Sequence, residues 1–361
     1  MASWETWSTE GRRAVLAKTP IVVLMGGRSD ERDVSLTSGG AALASLKDLS
    51  GPSYDVAPPV FEIEIDREGR WCLDGAALAP QRAIEALPEE AIYWLALHGG
   101  EGEDGRVQAF LELAGRRHTG AGTAASSLCM DKHHSRLVAA DAGVAVATGL
   151  HLTRGQFLRD TTSAEARLRA LGPGTHFVKH SSAGSSFGVH RCQTSDEMVA
   201  AARSIAASGG NILVEAEVRG LEVTAGVIGD GAEAGALPIV EIEPVGEAFF
   251  DHEQKYSASG GALEACPPVQ LPGPVQSRIQ ERAKAAWEAF GGTGYARIDF
   301  MVPSSGGKPG ARRFDADVEP VMLEANTLPG FTPRSLLPLS AKADGVGFRE
   351  LCLELASRAI G

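Results

Sequence analysis

The sequence predicts an α/β chain of more than one domain. Residues 19–25 (TPIVVLM) form a short apolar strand that ends on Gly26 and Gly27, and a helix follows over about residues 35–46. Strand, glycine turn and helix in that order open an α/β unit, in which ligands sit at the carboxyl ends of the strands. Residues 91–97 (AIYWLAL) repeat the device, an apolar strand running into the glycine-rich turn HGGEGEDG. The chain has 361 residues, more than one hydrophobic core commonly holds, so two to three domains are predicted.

Composition narrows the function classes. With 43% hydrophobic and 22% charged residues the chain reads as an ordinary folded protein. A net charge of −12 argues against a nucleic-acid partner, which needs clustered Lys and Arg. It leaves room for a small anion held by a few local cations. The five cysteines (Cys72, Cys129, Cys192, Cys266, Cys352) are scattered and form no C-x-x-C pair. Neither a disulfide framework nor a thiolate zinc site is indicated, and a reducing, cytoplasmic setting is predicted. No run approaches the ~18 apolar residues of a membrane span, so no membrane partner is expected. The polar start, residues 1–18, lacks the apolar core of a signal peptide and is read as an extension with no assigned role.

After the first helix, residues 50–90 mix Gly, Pro and charge around one hairpin, VFEIEID and RWCLDG. The turn HGGEGEDG suits close backbone approach to a ligand. It fits neither G-x-G-x-x-G nor a phosphate loop ending in G-K-[ST]. A helix over residues 106–114 precedes a loop and a single helix carrying Lys132. Residues 175–180 (THFVKH) are a strand with Lys179 near its end, and SSAGSSFG leads into a returning strand at 189–192. That tip offers bare backbone N–H groups that can cradle phosphate, with Lys179 as a point charge; the plainer reading is a flexible Gly/Ser turn. A helix over 195–207 and strands at 211–215, 222–228 and 236–243 follow. The long loop after them carries Lys255 and Tyr256, and loops of that length are usually functional or disordered, so a lid is one reading. A helix over 275–290, a strand at 295–302 (YARIDFMV), a loose hairpin tip near 304–311 and an amphipathic helix over about 347–360 complete the chain.

Chemistry concentrates in residues 321–337 (VMLEANTLPGFTPRSLL). Glu324 and Asn326 stand two apart, as do Arg297 and Asp299 on the preceding strand, and residues i and i+2 of a strand share a face. Asp299, Glu324 and Asn326 then offer hard oxygens of the kind that suit Mg²⁺. The alternative is a pair of ordinary strands with polar ends. Glu31, beside the first helix, reads either as a ligand for an ammonium group or as a solvated loop acid.

Taken in order, GGRSDERDVSLTSG, ALHGGEGEDG, TGAGTAASSLCMDK, VKHSSAGSSFGV, HEQKY, ARIDFM and LEANTLPGFTPRSLLP closely resemble D-alanine–D-alanine ligases of the ATP-grasp superfamily. The resemblance runs from about Ile21 to the C-terminus, interrupted in parts of 50–90 and 303–317. It implies a three-domain ATP-grasp fold: an N-terminal α/β domain over 19–120, a central domain with a small antiparallel sheet over 121–215, and a C-terminal domain over 216–361. ATP would lie between the last two with two Mg²⁺ (or Mn²⁺) on Asp299, Glu324 and Asn326. Lys132 and Lys179 look like phosphate ligands, and Ser181, Ser182, Gly184, Ser185 and Ser186 like a phosphate cover to which Lys255 also contributes. Glu215, Ala216 and Val218 would read adenine, and Glu222 the ribose. The resemblance gives Glu31 the ammonium of a first D-alanine, with Ser185 and Tyr256 bonded to it, and sets His98 near that substrate's carboxylate. Ser335 and Lys255 would hold the second carboxylate, while Arg297 and the Gly330 N–H stabilise an oxyanion.

The implied reaction joins two D-alanines through an acyl phosphate, for peptidoglycan precursors, in the cytoplasm and commonly as a homodimer. A relative joining another amino-acid pair is the alternative, and a non-catalytic ATP-binding regulator a remote one. Two departures from the family pattern bear on this: His180 stands where proline follows the strand lysine, and Ala216 where a lysine is common. The Lys255–Tyr256 pair, absent from ligases that make the D-lactate ester, favours an amine as second nucleophile.

Overall fold

The protein is described by a computed structural model covering residues 15–48, 58–182, 188–244, 262–304 and 313–360. The strands of the first sheet are β1 (Ile21–Gly26), β2 (Val60–Ile65), β3 (Trp71–Leu73), β4 (Ala76–Leu78), β5 (Ile92–Leu95) and β6 (Arg117–His118). They run in the order β4-β3-β2-β1-β5-β6. β1 lies parallel to both β2 and β5, and every one of its residues is buried. A strand covered on both faces needs such an unbroken apolar run, which is why IVVLM carries no alternation. Its carboxyl end delivers Gly26 and Gly27 to one edge of the molecule, and β5 delivers His98 to the same edge.

The polar start of the chain does not stop short of this core. Leu16 is fully buried in it, so residues just ahead of β1 pack with the sheet rather than trailing as surface extension. The same core takes Leu328, Phe331, Leu337, Leu351 and Leu355 from the far end of the sequence. Helix Leu336–Ala343, which the sequence reading passed over, packs on the third sheet, helix Phe348–Arg358 packs on helix Arg32–Lys47, and both contribute to the core that the first sheet shares.

The second sheet is antiparallel, with β7 (Gly149–Leu152), β8 (His176–His180), β9 (His190–Cys192) and β10 (Ile212–Ala216) in the order β7-β10-β8-β9. Ile212, Val214 and Val178 face helices Arg154–Arg159, Thr161–Arg169 and Ser195–Ala207, burying Phe157, Leu168 and Ile205. Thr153 and Thr194 start the first and last of these helices with reciprocal capping boxes. Strand alternation then puts Leu213, Glu215 and Lys179 on the opposite face, where Leu213 and Glu215 are buried.

The third sheet holds β11 (Gly220–Ile228), β12 (Gly235–Ala236), β13 (Val240–Pro244), β14 (Ala262–Ala265), β15 (Tyr295–Pro303) and β16 (Val321–Asn326), ordered β14-β13-β11-β15-β16 with β12 on β11. Its inner face (Leu221, Val223, Ala225, Ile298, Phe300) packs on helix Gly273–Ala289 through Ile279, Ala283 and Trp287. Thr224, Arg297 and Asp299 take the other face. The single helix expected around Lys132 is two, Thr123–Met130 and Lys132–Asp141. Asp131 breaks them: its extended backbone ends the first, and its carboxylate accepts the His133 and His134 N–H groups at the start of the second.

Candidate active site

The antiparallel register of β15 and β16 sets Asp299 opposite Glu324 and Arg297 opposite Asn326, with a bulge just after Asp299. Bulges of this kind re-aim side chains where pairing is interrupted. Asp299 is 4% exposed and fully engaged. Arg297 Nε and Nη2 donate to its two oxygens at 2.9 Å each, Asn326 Nδ2 donates at 3.0 Å, and the Thr224 hydroxyl at 2.6 Å. Asn326 thereby spends an amide N–H on Asp299 and keeps its amide oxygen as an acceptor or a cation ligand. Across the cleft Lys132 Nζ lies 3.0 Å from Glu324 Oε2. Burial pulls the Lys132 ammonium down, but Glu324, with Glu103 and Glu215 behind it, outweighs that and the group ends above its ordinary value. Two carboxylates and an amide oxygen, already balanced by an arginine and a lysine, form a hard-oxygen set that fits a divalent ion such as Mg²⁺.

A small cleft opens here, lined by Glu103, Met130, Lys132, Glu324, Asn326 and Thr327. Glu103, in the glycine-rich turn, is a residue that sequence reasoning left unassigned. It accepts the Gly99 N–H at 2.9 Å. Burial, and then the charge of Glu31, push its carboxyl up to about 8. Glu31 itself lies against Gly99: a Cβ on that glycine would fall 2.3 Å from Glu31 Oε2, and the backbone there is left-handed at φ +66°. Only glycine meets both conditions.

His98 is 6% exposed. Its Nε2 meets the Ser38 hydroxyl at 3.1 Å, which also accepts the Phe331 N–H at 3.1 Å, and the ring hydrogen-bonds the Leu328 backbone. The first sheet is thus stitched to loop 327–335. In that loop Ser335 Oγ accepts the Thr332 N–H at 2.9 Å and sits 3.4 Å from where a Cβ on Gly330 would be. Burial lowers the His98 pKa from 6.5 to about 4, against the Leu328 bond and with help from Arg297. Between those values the unfolded chain takes up a proton that the folded chain refuses. The His98 contribution to stability should therefore fall as pH drops from about 6.5 to 4, by on the order of 3 kcal/mol, while Glu103, raised to about 8, acts with the opposite sign because its carboxyl takes up a proton in the folded chain first. Denaturant melts of wild type and His98→Gln at pH 7.5 and pH 4.5 check this: the wild type should lose more stability, or gain less, than the variant on going to the lower pH.

On the second sheet Lys179 Nζ pairs with Glu215 Oε2, and Ala216 and Val218 lead away from that point along the chain. Ser181 is buried, and its carbonyl accepts the Lys132 N–H at 2.7 Å; the Ser182 hydroxyl donates to Asp131 at 3.3 Å. His180, where the family has proline, is held firmly. Its Nδ1 accepts the Ser182 N–H at 3.0 Å, and a Cβ on Gly210 would fall 2.1 Å from its ring. Glu222 lies on β11, two residues before the Thr224 that supports Asp299. Gly184, Ser185, Ser186, Lys255 and Tyr256 lie outside the described residues. Of the described residues selected from the sequence, Lys132, Glu324 and Asn326 line the cleft, and Arg297 and Asp299 join Asn326 on the third sheet; Glu31 and His98 follow β1 and β5, and Lys179 and Glu215 lie on β8 and β10.

Residues 138–357 match the family described as D-ala D-ala ligase C-terminus. A D-alanine–D-alanine ligase of Geobacter sulfurreducens is 37% identical over 94% of this chain and 93% of its own length. The chain belongs to the D-alanine–D-alanine ligase family. Its fold is the ATP-grasp fold of that family. Among solved structures it resembles the VanG D-Ala:D-Ser ligase of Enterococcus faecalis, at 26% identity and TM-score 0.74 over 95% of this chain and 99% of that one. It also resembles the D-alanine–D-alanine ligase of Bacillus anthracis complexed with ATP, at 26% identity and TM-score 0.70 over 94% and 97%. Among the described residues no helix is long and apolar enough to cross a membrane.

Proposed function

We propose that this protein is an ATP-dependent ligase that joins two D-alanines, and that the reaction takes place in the cleft between β8–β10 and β15–β16. The observation that carries the reading is the Arg297–Asp299 pair set beside Glu324 and Asn326 and faced by Lys132. The first D-alanine's carboxylate attacks the γ-phosphorus of ATP, forming an acyl phosphate and releasing ADP. The deprotonated amine of the second D-alanine then attacks the acyl carbon, and loss of inorganic phosphate leaves a peptide bond. Mg²⁺ held by Asp299, Glu324 and Asn326 would supply charge neutralisation for the transferring phosphoryl group.

The chain's own residues do the rest. Lys132 and Lys179, paired with Glu324 and Glu215, exchange a carboxylate for phosphate oxygens when ATP enters. Glu31 takes the first ammonium, and the neutral His98 ring lies near the first carboxylate without adding a charge that would repel Arg297. Arg297 and the Gly330 N–H receive the tetrahedral oxyanion, and Ser335 with Lys255 receives the second carboxylate. Ser181, Ser182, Gly184, Ser185 and Ser186 cover the phosphates, Glu215, Ala216 and Val218 meet adenine, Glu222 the ribose, and Tyr256 closes on Ser185 and Glu31. Five cysteines without disulfides suit the cytoplasm, and a homodimer is the family's common state. D-Serine as the second substrate is a second reading, supported by the likeness to the Enterococcus ligase.

Phosphate release from ATP and Mg²⁺ over a panel of D-Ala, D-Ser, D-lactate with D-Ala, and L-amino acids tests this, with products identified by mass. Turnover with D-Ala alone, giving the dipeptide, is expected. Turnover with D-Ala only when D-Ser is added supports the second reading, and silence with D-Ala beside turnover of an unrelated pair overturns both.

A further inference from the structure

Arg136 is a buried arginine, 7% exposed, one helical turn beyond Lys132. The i, i+4 spacing sets both side chains on one face of helix Lys132–Asp141. That face bridges two sheets. Lys132 reaches Glu324 on β16, while Arg136 Nη1 lies 2.9 Å from Glu215 Oε1 on β10 and Nη2 donates to the Ala147 carbonyl. Glu215 is 4% exposed and carries a cation on each oxygen, Arg136 on Oε1 and Lys179 on Oε2. The Arg136 contact is one of charge proximity: Oε1 receives no aligned hydrogen bond from the described residues, so it remains a buried acceptor.

The two cations are not equivalent. Lys179 sits at the end of β8, where the chain turns into Ser181 and Ser182, and its flexible stem lets it leave. Arg136 is anchored by the Ala147 carbonyl with its charge set against Glu215, and segment 145–147 is itself fixed to β16 through the Met322 N–H and Ala145 carbonyl at 2.8 Å. A buried carboxylate stripped of its only counter-ion is strongly unfavourable. If Lys179 moved to phosphate with nothing left behind, nucleotide binding would bear that penalty.

We infer that Arg136 is the positioning residue of the nucleotide site. Its fixed contact keeps Glu215 compensated and aimed once Lys179 transfers to phosphate, and Glu215 Oε1 then accepts the exocyclic amine of adenine. This rests on the nucleotide placement proposed above. A purine with an oxo group at that position would set acceptor against acceptor, so Arg136 contributes to ATP-over-GTP selectivity as well as to affinity. Lysine at 136 would keep the charge but could not hold the Ala147 carbonyl and Glu215 together.

The test is calorimetric binding of ATP and GTP, with steady-state kinetics and thermal melts, on wild type, Arg136→Gln, Arg136→Lys and Lys179→Met. Arg136→Gln should raise the ATP Kd and KM about tenfold or more, change kcat at saturating ATP by less than about threefold, and reduce the ATP:GTP ratio. Arg136→Lys should fall between wild type and Arg136→Gln, and it carries the test alone should the glutamine variant not fold. A folded Arg136 variant with wild-type Kd and wild-type ATP:GTP ratio, beside a weakened Lys179→Met, overturns this inference alone. A Lys179→Met variant that binds ATP as well as wild type overturns the nucleotide placement, and the inference with it.

Discussion

Asp299→Asn is expected to lower kcat by about a thousandfold, which is about 4 kcal/mol of transition-state stabilisation. The substitution keeps size and an acceptor oxygen for Thr224, whose hydroxyl donates at 2.6 Å, so the change is chiefly one of charge. Two effects compete in it. Loss of the carboxylate removes a ligand for a divalent ion and leaves the Arg297 guanidinium without its bidentate partner. The second effect alone, breaking one side of a buried pair, costs about 3–5 kcal/mol of stability. Activity measured below the melting transition, with the apparent Mg²⁺ constant taken from the same titration, separates them. A raised Mg²⁺ constant reports the ligand role, whereas a lowered Tm with an unchanged constant reports the structural one. Glu324→Gln should lose a similar amount of kcat with less effect on Tm, because its partner Lys132 keeps the charges of Glu103 and Glu215 nearby. Wild-type kcat in both variants would remove the metal site from these residues.

The cross-strand cluster was legible because strand periodicity is local and strict. Arg297/Asp299 and Glu324/Asn326 each stand at i, i+2, so any antiparallel pairing in the right register brings all four to one face. The register itself was not legible, nor was the bulge after Asp299. Contacts between distant segments were hidden for the same reason. Nothing in the spacing of Ser38, His98 and Phe331 announces that one hydroxyl serves the other two across 293 residues of chain. Lys132 and Lys179 stood out as cations for phosphate, but their resting partners, Glu324 and Glu215, are fixed by how the sheets face each other. Asp131 could have been found: Asp just before a new helical run is a cap signal, and it splits the helix as it should. Leu16 could not, since an isolated leucine in a polar stretch has no periodicity to mark it as core. Glu103 was visible as an acid in a glycine-rich turn, yet the burial that chiefly raises its carboxyl, and the approach of Glu31 that adds to it, come only from the fold.

Arg297→Met is expected to slow dipeptide formation by about 10²–10³-fold while leaving the first phosphoryl transfer largely intact. The reasoning is that a guanidinium beside the cleft is needed most where negative charge appears during amine attack, after the acyl phosphate has formed. Hydroxylamine present in the assay should then intercept more of that intermediate, so the ratio of hydroxamate to dipeptide rises in the variant. Arg297 also grips Asp299 with both nitrogens at 2.9 Å, which gives a second readout of opposite sign to the Asp299 variant. If Asp299 holds Mg²⁺ as proposed, removing the cation beside it strengthens the carboxylate as a ligand, so the apparent Mg²⁺ constant should fall, where Asp299→Asn makes it rise. His98 supplies a third. Burial chiefly holds its pKa down, and the Arg297 charge adds to that, so losing the guanidinium should move the His98 titration upward in the folded protein, readable by NMR. A variant with an unchanged hydroxamate ratio and an equal loss in both half-reactions would make Arg297 a support for Asp299 alone.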